Sequence, residues 1–299
     1  MNVSFFFEVL IGGMLSGVMY ALVALGFVLI FKSSGVFNFA QGAMVLFSAL
    51  TFVRLLEMQV LFWLALGITL VVMILLAITI ERIVLRPLIN QPLIILFMAT
   101  IGLNFFLEGL AQGVWDNQVH GLDLGINDVP FEGLQQATGI LVSTFDLIAA
   151  LIAGTLVLGL SLFFYKTRIG RALRAVSDDH QAALSVGIPL HHIWGITWAA
   201  AGIVALVAGL LWGTRLGVQF SLSLITLKAL PVLILGGFNS IPGAIVGGLI
   251  IGASEKLAEV YIGPMVGGGI ESWFAYVIAL LFLLVRPQGL FGEKIIDRV

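Results

Sequence analysis

The sequence predicts an all-α protein: a polytopic membrane helix bundle with about eight or nine transmembrane segments and a short cytoplasmic helix. Three observations lead there. Of its 299 residues, 60% are hydrophobic and only 10% charged, against about a quarter charged in soluble domains. The apolar residues gather into runs near the 20 or so that a spanning helix needs. The charges gather between those runs, most densely in one amphipathic stretch. A soluble fold of this size has no way to hide so much apolar surface, so its solvent is lipid.

The runs are 9–31, 36–53, 60–80, 93–112, 145–165 and 193–213, then a shorter piece at 224–237, then 241–262 and 272–285. The opening "MNVSFFFEVL" has no basic start and no small-residue cleavage motif follows, so it reads as a retained first span. Lys and Arg set the orientation. Arg82 and Arg86 follow the third run, Lys166, Arg168, Arg171 and Arg174 the fifth, and Arg286, Lys294 and Arg298 the last. Those segments, and the C-terminus, are expected on the cytoplasmic side. Segment 113–144 carries Asp116, Asp123, Asp128 and Glu132 without a single Lys or Arg and is expected outside. The alternation is consistent. The side of the N-terminus depends on whether two of the first three runs form one broken helix, and 224–237 either crosses or re-enters. One domain is expected over 1–299, with 113–144 as its outer segment and 166–190 as its cytoplasmic one.

A net charge of −2 points to no nucleic acid partner. The absence of cysteine excludes disulfides and thiol chemistry. No G-x-x-x-x-G-K-[ST] loop is present, so nucleotide hydrolysis by that route is excluded, and no H-E-x-x-H points to a metal. No catalytic residue, metal ligand or cofactor is expected in this chain. "FNFAQGAMV" (37–45) and "FNSIPGAIV" (238–246) share five of nine residues. In so Gly- and Val-rich a chain this fits chance as well as repetition.

From Arg171 onward the cytoplasmic stretch is amphipathic at helical period, and Gly187 followed by Pro189 is a helix stop. On composition alone it reads either as a solvated linker or as a helix that docks on a partner. Few acids lie in the runs: Glu108, Glu255 and Glu259. Ion-coupled carriers usually need such groups at their centre, so uphill transport would draw its energy from a partner.

Here the residues reach a family. "GRALRAVSDDHQAALSVGI" resembles the coupling segment of the branched-chain amino acid type (LivH/LivM) permeases of bacterial ABC importers. "GMLSGVMYALVALGFVLIF", with its Gly-x-x-x-Gly-like surface, is similar to their first span. "VFNFAQGAM", "ERIVLRPL", "LPVLILGGFNSIPGAIVGGLIIG" and "VRPQGLFG" resemble further family elements, in order. The chain departs from the family pattern at Gln41, commonly His, and at Asn239, commonly Gly.

The resemblance implies a permease subunit in the bacterial inner membrane, paired with a similar permease or a second copy. Two cytoplasmic ATPase subunits using ATP and Mg, and a periplasmic substrate-binding protein, would complete the importer. Its substrates would be branched-chain or related small amino acids. Residues 170–187 would form the coupling helix. Gly170 and Gly187 would turn the chain, Arg171, Arg174, Asp178 and Asp179 would make charged contacts, and Ala172, Val176 and Ala183 packed ones. Asn38, Gln41, Asn104 and Glu108 are candidates for the translocation pathway, with helix–helix hydrogen bonding as the plain alternative. Gly236, Gly237, Pro242, Gly243 and Gly247 mark a helix break or close packing. Segment 113–144, with Trp115 and His120, either meets the binding protein or acts as a lid or loop. The competing function is an ATP-independent channel or facilitator for a small polar solute such as urea or an amide.

Overall fold

The structure is a computed structural model describing residues 3–88, 91–178 and 180–292. Asp179, Lys294 and Arg298, named above, lie outside them. The helices are α1 (Val3–Ser34), α2 (Gln41–Glu57), α3 (Phe62–Thr79), α4 (Leu93–Val114), α5 (Glu132–Thr138), α6 (Thr144–Lys166), α7 (Arg168–Asp178), α8 (His180–Ser185), α9 (Leu190–Leu216), α10 (Ile225–Gly236), α11 (Ile241–Tyr261), α12 (Gly263–Val266) and α13 (Glu271–Val285). Each of the nine apolar runs coincides with a helix. Among the described residues, six helices are long and apolar enough to cross a membrane: α1, α3 with its extension, α4, α6, α9 and α11. The other three are shorter: α2 has 17 residues, α13 has 15, and α10 has 12 after a 3-10 turn at Phe220–Leu224. The protein is a multi-pass helical membrane protein.

The chain forms two compact units. One comprises Met1–Ala24, Gly125–Val157 and Leu227–Val299; the other, Leu25–Leu124 and Leu158–Thr226. In the second unit α2 is the axis: every residue from Gln41 to Val53 is buried. Glycines let its neighbours close on it. A methyl on Gly42 would stand 2.3 Å from the Ser223 carbonyl oxygen, and one on Gly209 of α9 would stand 2.6 Å from that of Val45. Helices α3 and α4 each bury one stripe, Ala65–Thr69–Met73–Ala77 and Leu96–Thr100–Leu103–Leu107–Ala111. The three- and four-residue steps keep each stripe on one face. Their other faces expose Trp63, Leu64, Leu75, Phe105 and Phe106, an arrangement stable against lipid or another apolar protein surface and not against water. Past Thr79 the helix widens into a π-helix, Ile80–Leu85, then tightens into a 3-10 turn at Arg86–Leu88. Glu81, 1% exposed, is held there by the Arg86 guanidinium, Nε to Oε1 at 3.2 Å and Nη2 to Oε2 at 3.0 Å.

The first unit is organised by a seam without side chains. Gly13 and Gly17 of α1 meet Gly252 and Gly248 of α11. A methyl would stand 2.7 Å from the Gly252 oxygen at Gly13, and 2.3 Å from the Gly248 oxygen at Gly17. Two glycines four residues apart on each helix let the backbones touch, as in small-xxx-small membrane packing.

Candidate functional site

The stretch 166–190 begins as a tight corner. The Gly170 N–H donates to the Thr167 hydroxyl at 3.2 Å, and a methyl at Gly170 would stand 1.7 Å from the Phe164 carbonyl oxygen. Only glycine fits. Arg174 then reaches back to the end of α6, donating to the carbonyls of Phe164 (2.9 Å) and Tyr165 (3.3 Å) with its guanidinium over the Tyr165 ring. It satisfies carbonyls that the helix end leaves open. Gly187 closes the stretch at φ +86°, its N–H donating to Leu184 while that of Ile188 donates to Ala183. This is a Schellman stop.

Between these corners the described residues on either side of position 179 are helical, as α7 and α8. Their inward face is Leu173, Val176 and Ala183, at 1%, 0% and 3% exposure. Val176 and Ala183, expected as packed contacts with a partner, are packed inside this chain, and Arg174 is engaged on α6. Ala172 is half-buried. Arg171 and Asp178 are exposed and have no hydrogen bond or ion pair among the described residues, and Leu184 and Val186 are exposed at 54% and 80%. A hollow of about 560 Å³ beside them is lined by Arg86, Leu184, Ile188, Pro189 and His191.

The four pathway candidates separate into two kinds. Asn38 and Gln41 are fully buried at the corner between α1 and α2. The Asn38 amide donates to Gln41 Oε1 at 3.3 Å and its oxygen accepts from the Ala40 N–H at 3.1 Å; the Gln41 amide donates to the Ala201 carbonyl at 3.4 Å. Their polar groups are thus engaged in joining α1, α2 and α9. A methyl on Gly26 would stand 2.5 Å from the Gln41 amide nitrogen, so that glycine makes the room. Asn104 and Glu108 are half-buried, one turn apart beside the buried stripe of α4, and make no hydrogen bond among the described residues.

In the first unit the glycine-rich run is a helix–turn–helix. Ser240 caps α11, accepting from the Gly243 N–H at 3.0 Å, and Pro242 stands in its first turn, where the missing proline N–H costs nothing. Gly237 turns the chain at φ +101°. Methyls on Gly236 and Gly243 would stand 2.2 and 2.1 Å from each other's carbonyl oxygens, and one on Gly247 would stand 2.6 Å from that of Val232.

The sequence reading missed the densest polar site in the same unit. Lys228 of α10 donates to Glu255 of α11 (2.9 Å) and to Glu271 of α13 (3.1 Å), and Lys256 donates to the other oxygen of Glu271 at 3.2 Å. Glu255 is 2% exposed, and the Tyr20 hydroxyl of α1 lies 3.5 Å from it. Two cations and two anions balance. Glu259 accepts from the N–H groups of Gly269 and Glu271, capping α13. One signal was available: Lys228 is a lone cation inside an apolar run, which in a membrane requires a partner.

Segment 113–144 and the end of α2 share a second cluster, outside the candidate spans. The His120 ring lies between Glu57 (Nδ1 to Oε1, 2.6 Å) and Asp116 (Nε2 to Oδ1, 3.1 Å), and the His120 backbone pairs with Val218. The Gln118 N–H and the His120 ring hold the Asp116 carboxyl below the ordinary range. Partial burial pushes Glu57 up, but Arg54 and His120 outweigh it and hold that carboxyl low too. Trp115 packs edge-on against Phe47, ring centroids 4.7 Å apart.

The family pattern described as "Branched-chain amino acid transport system / permease component" matches residues 9–286. The chain is 27% identical to the high-affinity branched-chain amino acid transport system permease protein BraD of Pseudomonas aeruginosa, covering 98% of each. With the corresponding protein LivH of Salmonella typhimurium identity is 28%, covering 99% of this chain and 98% of that one. With the "Probable branched-chain amino acid transport permease protein LivH" of Methanocaldococcus jannaschii it is 31%, covering 95% and 92%. A match over nearly the whole chain makes this protein a member of the branched-chain amino acid transport permease family.

Proposed function

We propose that this chain is a membrane permease subunit of an ATP-driven importer for branched-chain or related small amino acids. It sits in the bacterial inner membrane with its C-terminus in the cytoplasm. The three short helices, α2, α10 and α13, add to the six long ones to give eight or nine membrane segments. Its partners are a second permease, similar or identical, two cytoplasmic ATPase subunits that use ATP and Mg, and a periplasmic binding protein that meets segment 113–144.

The observation that carries this reading is the α7–α8 segment. Its inner side is anchored by Gly170, Leu173, Arg174 and Val176, while Arg171, Asp178, Leu184 and Val186 are exposed. A segment rigid toward the helices and free outward transmits a push, so ATP-driven closure of the docked subunits would move α6 and α9 with it. Within the membrane, Asn104 and Glu108, without a hydrogen bond among the described residues, are the groups that would meet a solute.

The test is co-purification of the ATPase subunits with the chain expressed from its native operon. They should accompany the intact protein and be lost when residues 170–187 become a Gly/Ser linker. The milder Arg171→Glu, Asp178→Ala double variant should weaken the association and uptake together. If no ATPase accompanies the intact chain even after mild crosslinking, the importer reading fails and passive facilitation takes its place.

A further inference from the structure

One histidine joins three helix ends in the second unit. Glu57 is the last residue of α2, and its Oε1 lies 2.6 Å from His120 Nδ1. Asp116 follows the end of α4, and its Oδ1 lies 3.1 Å from His120 Nε2. Val218 follows the end of α9, and its backbone exchanges two hydrogen bonds with that of His120, at 3.0 and 2.9 Å. The His120 side chain is only 10% exposed, so water competes little for the ring.

The two carboxylates sit on opposite ring nitrogens. A neutral imidazole has one donor nitrogen and one acceptor, whereas an ionised carboxylate only accepts. Both ties are therefore satisfied at once only when the ring carries a proton on each nitrogen. The acids do not supply that proton. Asp116 and Glu57 are both held low, and each has a further donor in place. The Gln118 N–H donates to Asp116 Oδ1 at 2.9 Å, and the Arg54 guanidinium to Glu57 Oε2 at 2.7 Å. The next charges along these elements are Glu108, Asp123 and Arg215, and none bonds the ring among the described residues.

We propose that His120 is a proton-dependent latch on the ends of α2, α4 and α9. With two ring protons it holds Glu57 and Asp116 together. With one, a bare ring nitrogen faces a carboxylate oxygen and that tie opens. The latch is thus closed in acid and loosens as pH rises through the range in which histidine changes charge, about pH 5 to 8. The loosening is local, because the Val218 pairing and the Trp115 ring against Phe47 carry no titrating group. It involves no transported solute, so it stands or falls apart from the transport role.

The chain has no cysteine, so spin labels can be placed at Met58→Cys and Asn117→Cys, exposed neighbours of Glu57 and Asp116. Pulsed electron resonance on the full chain in nanodiscs reads the distance between them. At about pH 5 the distribution should be single and narrow. By about pH 8 the ratio of closed to open forms should fall about tenfold, the effect of losing one hydrogen bond to a charged group. His120→Gln offers donor and acceptor unchanged at every pH, so its distribution should stay broad and stop responding. Glu57→Gln should do the reverse. Its amide N–H can donate to the bare ring nitrogen while its oxygen still accepts from Arg54, so the latch should stay closed at about pH 8. A pH-independent distribution without these substitutions would overturn the proposal. So would a pH response that survives His120→Gln, or a Glu57→Gln chain that opens in alkali.

Discussion

Replacing Lys228 by methionine tests whether the charges between α10, α11 and α13 depend on one another. Methionine keeps the length of the side chain and removes its charge. Glu271 keeps Lys256 at 3.2 Å, but Glu255, 2% exposed, loses its cation at 2.9 Å and keeps, among the described residues, the Tyr20 hydroxyl at 3.5 Å as its hydrogen-bond partner. Removing one partner of a buried pair costs about 3–5 kcal/mol. The Lys228 side chain is 29% exposed, so water screens part of the interaction and the lower value, about 3 kcal/mol, applies. At about 2 °C per kcal/mol for a chain of this size, the thermal midpoint in detergent should fall by about 6 °C. Replacing both partners, Lys228→Met with Glu255→Met, removes the stranded charge as well. Apolar replacement of a whole buried pair is often neutral, so the double variant should recover to within about 1 kcal/mol of the wild type. Melting of the purified complex, followed by loss of monodisperse protein, reads both. A double variant as damaged as the two single variants summed would refute the reasoning, because it would mean the charges act independently.

Gly17→Leu should block assembly of the first unit, since even its Cβ would stand 2.3 Å from the Gly248 oxygen. Gly12→Leu, where a Cβ meets nothing within 4 Å, should accumulate normally, and the membrane levels of the two variants check the contrast. Gly170→Ala should strain the corner between α6 and α7, where the new methyl would lie 1.7 Å from a carbonyl; protease cleavage near Thr167 should rise, and an unchanged digest would count against it. In acid, the Asp116 contribution should disappear. Its carboxyl is held below the ordinary value, so it stabilises fully above about pH 4 and less as pH falls through the lower, folded value. Asp116→Asn should therefore flatten the acid limb of a stability–pH profile below about pH 4, and an unaltered limb would remove Asp116 from the account.

The helices were legible because hydrophobic run length is a local property: each run from 9–31 to 272–285 became a helix. The family was legible through motifs with a backbone reason, such as Gly170 at its corner and Gly13 and Gly17 on their seam. Direction within the stretch 166–190 was less so. Helical period separates its two faces, but it does not say which one the chain itself covers, so Val176 and Ala183 were assigned outward when they pack inward. Asn38 and Gln41 were visible as polar residues, but their acceptors lie partly on α9, 160 positions away for Gln41. The Lys228 cluster was least legible, because its partners stand 27 and 43 residues along the chain and no local pattern joins them.

The glycine seam between α1 and α11 has a mechanical consequence. Because it holds backbone against backbone, it has no rotamers with which to absorb a small displacement. Its glycines recur every four residues, about 6 Å along a helix. Sliding α1 by that step brings Gly17 opposite Gly252, or Gly13 opposite Gly248, and so restores one of the two contacts. Every intermediate position drives a side chain into a backbone. The seam therefore behaves as a detent, with one full setting and a half-engaged setting on either side, and the pair of helices either holds or jumps by a turn.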